Sequence, residues 1–580
     1  MDSPYNGSTS SLLKQNRSRV NSNVSSGTNG YPYGGGAQSS ISDKYSLSPS
    51  PASWGTPLLM SVPEPDDYLH NPDPRRDRKL DRGGTVFSSR GFANLGCLLL
   101  LITAVLMLFA GKAIPSTRHI GTQGGFGLGG INASGQIPEM PGNWGLIDRD
   151  TPKEAYVKKS YRGEVEMELV FSDEFNKDGR TFYPGDDPYW EAMDYHYWGT
   201  EDLEWYDPSQ VMTGGGHLQL TLEKIDDPEN NHNLNYRSGM IQSWNKFCFT
   251  GGIIEAAVRL PGTNNIAGLW PAVWTMGNLG RAGYGASLEG MWPYSYDTCD
   301  VGTLPNQTYP GTRLPAAAHE NGDPTAKGEL SYLPGQRLSA CTCPGEPHPG
   351  PVRSNGDYVG RGAPEIDVFE AIIEEGVGKV SMSSQWAPYN AGYDWKNTTD
   401  NMIMHDGDRT HLNTYKGGVW QQCTSGLSVT NQACYELEAG CFAVYGFEYS
   451  PGFDDAYITW INDGTPSWTI VARGMGLDTI AEIGPRPIPQ EPMYIIANLG
   501  FSLKFGPINF EEVTFPTTMA IDWIRVYQPV GKKNFGCDPA DFPTASYIRA
   551  YPEAYANPNL TVWSQYGQPM PKNRLNGGCT

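Results

Sequence analysis

Residues Phe92–Gly111 read FANLGCLLLLITAVLMLFAG, 20 residues without a charge. At 1.5 Å per residue such a run matches a hydrocarbon core of roughly 30 Å. Nothing else restricts the chain so severely, because whatever flanks a spanning segment folds in two separate compartments. A cleaved secretory leader would lie at the N-terminus with a shorter apolar core. A buried core helix would be amphipathic. The expectation is therefore a single transmembrane helix within residues 91–111. Arg75, Arg76, Arg78, Lys79, Arg82 and Arg90 precede it, whereas Lys112 and Arg118 follow it. Positive flanks stay in the cytosol. The expected arrangement is a type II signal anchor, with the chain beyond residue 111 in the lumen of the secretory pathway (endoplasmic reticulum or Golgi) or outside the plasma membrane.

The two sides differ in composition as that topology requires. The first 50 residues hold 14 Ser, and residues 1–90 read as a disordered cytoplasmic tail, too poor in apolar side chains to offset the entropy of ordering. Ser48-Pro49 and Ser50-Pro51 are candidate phosphorylation or sorting sites, or plain solvated tail. The chain carries a net charge of −21, and the tail contributes none of that acidity. No nucleic-acid partner is expected, since phosphate binding needs a basic footprint. Nine of the ten cysteines (248, 299, 341, 343, 423, 434, 441, 537 and 579) lie beyond the anchor, in keeping with an oxidising compartment. Nine is odd, so at least one is free or bonded elsewhere. Glycosylation sequons stand beyond the anchor at Asn132, Asn306, Asn397 and Asn559, and in the tail at Asn6, Asn16 and Asn23.

After a stem at 112–160, residues 161–530 show a β pattern throughout. Leu218, Leu220 and Leu222 alternate with polar residues, and similar runs are 253–260, 269–276, 379–386, 442–449, 457–461, 493–499 and 521–527. Period-two runs punctuated by Gly, Pro and Asn indicate antiparallel strands, and so many short strands imply an all-β sandwich or jelly roll. Residues 281–362 and 395–440 interrupt the rhythm as insertions, and 531–580 read as a C-terminal extension. The Gly125-x-Gly127-x-x-Gly130 pattern lacks the strand and helix of a dinucleotide fingerprint and is taken as spacer.

The sharpest chemical signal is Glu365-Ile-Asp367-Val-Phe-Glu370, three carboxylates on a strand of Ile, Val and Phe. Burying each charge costs several kcal/mol, so an acidic buried strand needs a reason. Glu365 and Asp367 share one face, and regular alternation sends Glu370 to the other. A β-bulge would return it. Two Glu and an intervening Asp on one face suit a retaining glycosidase, in which one carboxylate attacks the anomeric carbon and the other moves the proton. Incidental acids or a cation site are the alternatives.

These residues resemble the Glu-x-Asp-x-x-Glu signature of glycoside hydrolase family 16, the laminarinase-type jelly rolls. LVFSDEF at 169–175, SGMIQSW at 238–244, GGIIEAAVRLPG at 251–262, GLWPAVWTMG at 268–277, FAVYGFEYSP at 442–451 and IDWIRVYQ at 521–528 follow in the family's order. GMWPYSYDTCDVGTLPNQT at 290–308, the Ser-rich tail and the anchor are similar to the fungal β-glucan synthesis-associated proteins, type II membrane glycoproteins required for cell-wall β-1,6-glucan. The resemblance implies Glu365 as nucleophile, Asp367 as the assisting acid and Glu370 as general acid/base. It also implies Trp270 and Trp274 in the sugar cleft, with core packing as their alternative, and Trp386 as a third candidate. The chain departs from the pattern at Gln385-Trp386, where many hydrolytic relatives have His-Trp.

Cys341-x-Cys343 has no second pair at zinc spacing, so a disulfide is preferred. His-Glu-x-x-His, Gly-x-Ser-x-Gly and P-loop motifs are absent. No cofactor is expected. Some family relatives bind a structural calcium, but no acidic loop identifies its site here. The reading is a lumen-facing, membrane-anchored β-glucan glycosidase or transglycosylase of wall β-1,6-glucan synthesis, with β-glucan or its oligosaccharides as partner. Its rivals are a non-catalytic glucan-binding or assembly factor and an enzyme of glycoprotein quality control. The topology predicts that removing N-glycans enzymatically shifts the gel mobility of a chain keeping only the sequons at 132, 306, 397 and 559. It predicts no shift for a chain keeping only Asn6, Asn16 and Asn23.

Overall fold

The computed structural model describes Arg75, Arg78 and residues 145–579. The chain divides into two units, Met1–Leu101 and Ile102–Thr580. In the first, only Arg75 and Arg78 are described, both helical. The expected spanning segment and Asn132 lie outside the described residues, and no described helix is long and apolar enough to cross a membrane.

Each alternating run is a strand, including His217–Lys224, Gly252–Arg259, Trp270–Gly277, Val377–Trp386, Ala443–Ser450, Met493–Gly500 and Thr517–Pro529. Leu218, Leu220 and Leu222 are fully buried while their neighbours Gln219, Thr221 and Glu223 are not, as expected of a half-buried sheet. The strands form a twelve-stranded and a ten-stranded sheet, so the all-β jelly-roll class holds. Among the described residues every strand pairing is antiparallel except Glu204–Tyr206 beside Tyr236–Ser238.

The ten-stranded sheet carries the acidic strand near its centre. Its main path runs Thr410–Leu412, Gln421–Val429, Val377–Trp386, Glu365–Glu374, Trp270–Gly277, Met493–Gly500, Met240–Gln242 and Glu191–Ala192, with Gly417–Gly418 paired to Gln421–Val429 and Cys248–Phe249 to Met493–Gly500. Glu365–Glu374 and Val377–Trp386 form a hairpin whose two loop residues, Glu375 and Gly376, have φ of 53° and 74°. Two such residues make the turn that matches the strand twist. The main core lies between the sheets. Ile366, Val368, Phe369, Val380, Met382 and Trp386 meet Tyr445, Phe447, Trp460, Trp468, Ile524 and Val526 there.

Two boundaries differ from the sequence reading. Residues 421–429, expected inside an insertion, form a full strand whose register with the hairpin runs unbroken from Lys379 to Trp386. Their sequence QQCTSGLSV hides the strand because its core face, Gln422, Thr424, Gly426 and Ser428, is small or polar rather than apolar. Residues 145–160 already belong to the folded body, with Ile147 bridged to Ser172 and Val157–Lys159 paired to Glu166–Glu168. Residues 278–364 and the C-terminal segment fold together. Cys299–Cys341 lies within the former, Cys343–Cys579 joins the two, and Cys248–Cys537 ties the C-terminal segment to the site sheet. Cys434 pairs with Cys441, which leaves Cys423 as the free, buried thiol among the described cysteines.

One buried ion pair locks this assembly to the acidic strand. Arg361 holds Glu491 through two bonds of 2.6 and 2.7 Å, and its guanidinium also donates to the carbonyls of Gly350 and Pro543. The pair thus links the residues entering Glu365–Glu374, those entering Met493–Gly500 and the C-terminal segment. A buried guanidinium is tolerated only when so fully bonded.

Candidate active site

The carboxylate strand is irregular where the chemistry would lie. Against Trp270–Gly277, Trp274 stands opposite Asp367 and Val273 opposite Phe369, so Val368 has no partner. Against Val377–Trp386, Ile366 faces Ser384 and Glu370 faces Ser381, again one residue too many. This is the bulge the spacing called for. Val368 and Phe369 both turn into the core, and Glu370 joins Glu365 and Asp367 on the open face.

A side chain from the other sheet completes the bulge. The fully buried Trp460 donates its indole N–H to the Asp367 carbonyl at 2.8 Å, satisfying an oxygen released from the ladder. Trp460 stacks on Trp468 with centroids 4.5 Å apart. Trp468 in turn lies against Gly426, where a Cβ would stand 2.5 Å from its indole nitrogen. Glycine at 426 is therefore required for close packing rather than for its turn conformation.

On the open face each carboxylate has its own partners. Trp292 donates to Glu365 Oε2 at 2.7 Å, and Trp270 to Glu370 Oε1 at 3.1 Å. Ser383 and Gln385 donate to Asp367 Oδ2 at 2.5 and 3.1 Å, and Asp367 is also hydrogen-bonded to Glu365. Asp367 is 1% exposed, while both Glu residues are half-buried and open to the cleft. Burial, followed by the charge of Asp367, pushes Glu370 up to about 8, against the opposing pull of the Trp270 bond. Asp367 is raised to about 6 by burial, with the Ser383, Gln385 and Glu365 bonds holding it down. Glu365 is raised by burial, then by Asp367 and Glu370, and is opposed by Trp292. Three acids confined together cannot all ionise, so at neutral pH the cluster retains protons, with Asp367 the first to lose one.

The structure brings Glu365, Asp367, Glu370, Trp270 and Trp274 together. Trp274 shares the face of Asp367, and its indole donates to Asn498 at 2.8 Å. Trp386 does not join them. Gln385 is the register partner of Glu365, so alternation turns Trp386 to the opposite side, where it is 1% exposed in the core and donates to Thr424. Its assignment to the sugar cleft is corrected on that ground. Asn306, Asn397 and Asn559 are all exposed. Among the described residues no group of three or more His, Cys, Asp or Glu side chains is arranged to hold a metal ion.

Trp292, Ser383 and Gln385 are not among the expected site residues. Ser383 and Gln385 follow from alternation once the hairpin register is known. Trp292 lies 73 residues before its partner, in a segment with no period, and no local signal connects the two.

Residues 56–579 match the family described as beta-glucan synthesis-associated protein SKN1/KRE6/Sbg1. The chain belongs to that family. Over 535 residues it is 43% identical to the beta-glucan synthesis-associated protein KRE6 of Saccharomyces cerevisiae, covering 90% of this chain and 70% of the relative. It is 42% identical over 531 residues to SKN1 of Candida albicans, covering 90% and 68%. Among solved structures it is similar to the catalytic domain of a Thermotoga petrophila endo-1,3-beta-glucanase (laminarinase), with TM-score 0.34, 18% identity and coverage of 63% of this chain and 99% of that one. A Pyrococcus furiosus endo-beta-1,3-glucanase aligns with TM-score 0.35 and 17% identity, covering 66% and 100%. In this SKN1/KRE6/Sbg1 chain the Trp460 bond holds the bulge. Trp460→Phe strands the buried Asp367 carbonyl and is expected to cost about 1–3 kcal/mol. Urea denaturation followed by tryptophan fluorescence, against the unsubstituted chain, measures it.

Proposed function

We propose that the protein is a β-glucan-active enzyme of the retaining type, anchored by residues 91–111 and facing the secretory lumen, where it takes part in building wall β-1,6-glucan. One observation carries the reading: the bulge gathers Glu365, Asp367 and Glu370 on one accessible face, with the outer two carboxyls open to the cleft. Membership of a β-glucan synthesis-associated family supports the substrate class.

In this reading Glu370 is the acid. It gives its proton to the glycosidic oxygen while Glu365 attacks the anomeric carbon and the bond to the leaving sugar breaks. The product is a glycosyl ester on Glu365. Glu370, now a carboxylate, takes the proton of an incoming hydroxyl as that oxygen displaces Glu365. Attack needs Glu365 ionised, yet its surroundings raise it. The Glu365–Asp367 hydrogen bond answers this, because the shared proton passes to Asp367 and leaves Glu365 as a carboxylate fixed by the Trp292 N–H. Water or a sugar hydroxyl completes the second step, and net synthesis favours the sugar.

The test is a screen of the solubilised full chain against β-1,3- and β-1,6-linked glucose oligosaccharides with mass-spectrometric product analysis. Glu370→Gln is expected to lower kcat/KM by about 10²–10⁴. A stably expressed, correctly localised Glu365→Gln chain that still supports full glucan formation in cells would leave only the non-catalytic, glucan-binding role. Processing of N-glycans alone would overturn the substrate class. The pH profile of kcat/KM is expected to be bell-shaped. It rises as the Glu365–Asp367 pair loses its first proton near the value of about 6, and it falls as Glu370 loses the donated proton near about 8. A profile flat from about pH 5 to about pH 9 would remove these groups from the rate-determining step.

A further inference from the structure

The segment joining Val377–Trp386 to Gln421–Val429 encloses a pocket of about 140 Å³ against the open face of the site sheet. That is the share of roughly five liquid waters, suited to one sugar ring rather than to a length of chain. Trp395, Asn413, Tyr415 and Lys416 line it from the joining segment, and Cys423 and Ser425 from the sheet.

A polar row leads from the pocket to the carboxylates. Asn413 donates to Ser425 Oγ at 3.2 Å, and the hydroxyls of Ser425 and Ser381 lie 2.8 Å apart. Ser381 is the register partner of Glu370. Cys423 is the partner of Gln385, which binds Asp367 and is itself the register partner of Glu365. The strand Val377–Trp386 therefore separates the pocket's Cys423 and Ser425 from the strand of Glu370 and Asp367. Electrostatics agree: after burial, the Cys423 thiol is raised by Asp367 and Glu370, and Tyr415 by Cys423 and then Glu370.

Its walls have the character of a carbohydrate site. Tyr415 leaves 54% of its surface open, with its hydroxyl held by Gln421 at 3.1 Å. Beyond it Trp420 and Tyr332 are also exposed, with ring centroids 6.0 Å apart. Lys416 and Asp394 pair at the rim. Broad aromatic faces beside a few placed polar groups match the apolar faces and hydroxyl edges of a pyranose.

We propose that this pocket is the acceptor subsite, holding a sugar ring of an incoming glucan oligosaccharide on Tyr415 with one hydroxyl directed at Glu370. The proposal rests on the reading of Glu365 and Glu370 as a retaining pair. The acid/base residue handles the oxygen that arrives, and the Ser425–Ser381 contact runs from the pocket to the register partner of Glu370, so a sugar held there serves as the acceptor. In the transfer step the acceptor hydroxyl gives its proton to the Glu370 carboxylate, its oxygen bonds the anomeric carbon, and the ester bond to Glu365 breaks with the electron pair returning to Glu365. Occupancy of the pocket places a hydroxyl where water would otherwise react, which favours transfer over hydrolysis.

The test uses the full-length, detergent-solubilised Glu365→Gln protein, which cannot form the ester, after removal of N-glycans because Asn397 also borders the pocket. Calorimetric titration with β-1,3- and β-1,6-linked glucose oligosaccharides gives the reference Kd. Adding Tyr415→Ala is expected to weaken it tenfold or more, and adding Tyr415→Phe to change it less than twofold, with thermal melting of both unchanged. An unaltered Kd in the Tyr415→Ala protein overturns the subsite and leaves the retaining pair standing. If the Glu365→Gln protein binds none of the oligosaccharides, the reading of the whole cleft fails and the subsite with it.

Discussion

A single hydrogen bond across the sandwich, from the indole of Trp460 to the carbonyl of Asp367, is the contact on which the site depends. A bulge releases backbone groups from the ladder, and inside a core such groups are costly unless paired. Trp460 supplies the pairing from the opposite sheet, Trp468 stacks behind it, and Gly426 makes room for both. With that support the strand accommodates one extra residue, and Glu370 stands on the side of Glu365 and Asp367. Without it, regular alternation would bury Glu370 in the hydrophobic core. The precision of the open face is thus set by packing on the closed one.

The rest of the architecture encloses this face. Residues 278–364 deliver Trp292 to Glu365, and the segment before Gln421–Val429 walls the opposite side. The long excursion is held by Cys299–Cys341, by Cys343–Cys579 and by the Arg361–Glu491 pair, which lies beside the entry to the acidic strand. Enclosure has an electrostatic consequence. Carboxyls shielded from water and crowded together share protons at neutral pH, which suits an acid that must donate and sets a condition on the carboxylate that must attack.

Much of the fold is legible in the sequence because period-two alternation is a direct record of one-sided burial. The same arithmetic exposes the bulge, since three carboxylates spaced two and three apart cannot share a face on a regular strand. Where alternation is weak the reading fails. Residues 421–429 are small or polar on the core face and read as loop, and the folded body begins earlier than composition suggests. The position of Trp386 in its motif points to the cleft, but the register of Glu365 with Gln385 turns it inward. Cysteine parity requires one thiol outside the disulfides, yet does not single out Cys423.

By itself the sequence determined the β class, the acidic face and the need for an irregular strand, because these follow from spacing along the chain. Only the tertiary structure decided that Trp292 meets Glu365, that Ser383 and Gln385 hold Asp367, that Trp460 completes the bulge, and that Asn413, Tyr415 and Lys416 gather in one pocket with Cys423 and Ser425. Each of these contacts joins residues distant in sequence or depends on the register between strands. Neither leaves a periodic trace, since the contacts exist only after the sheets have paired and closed on one another.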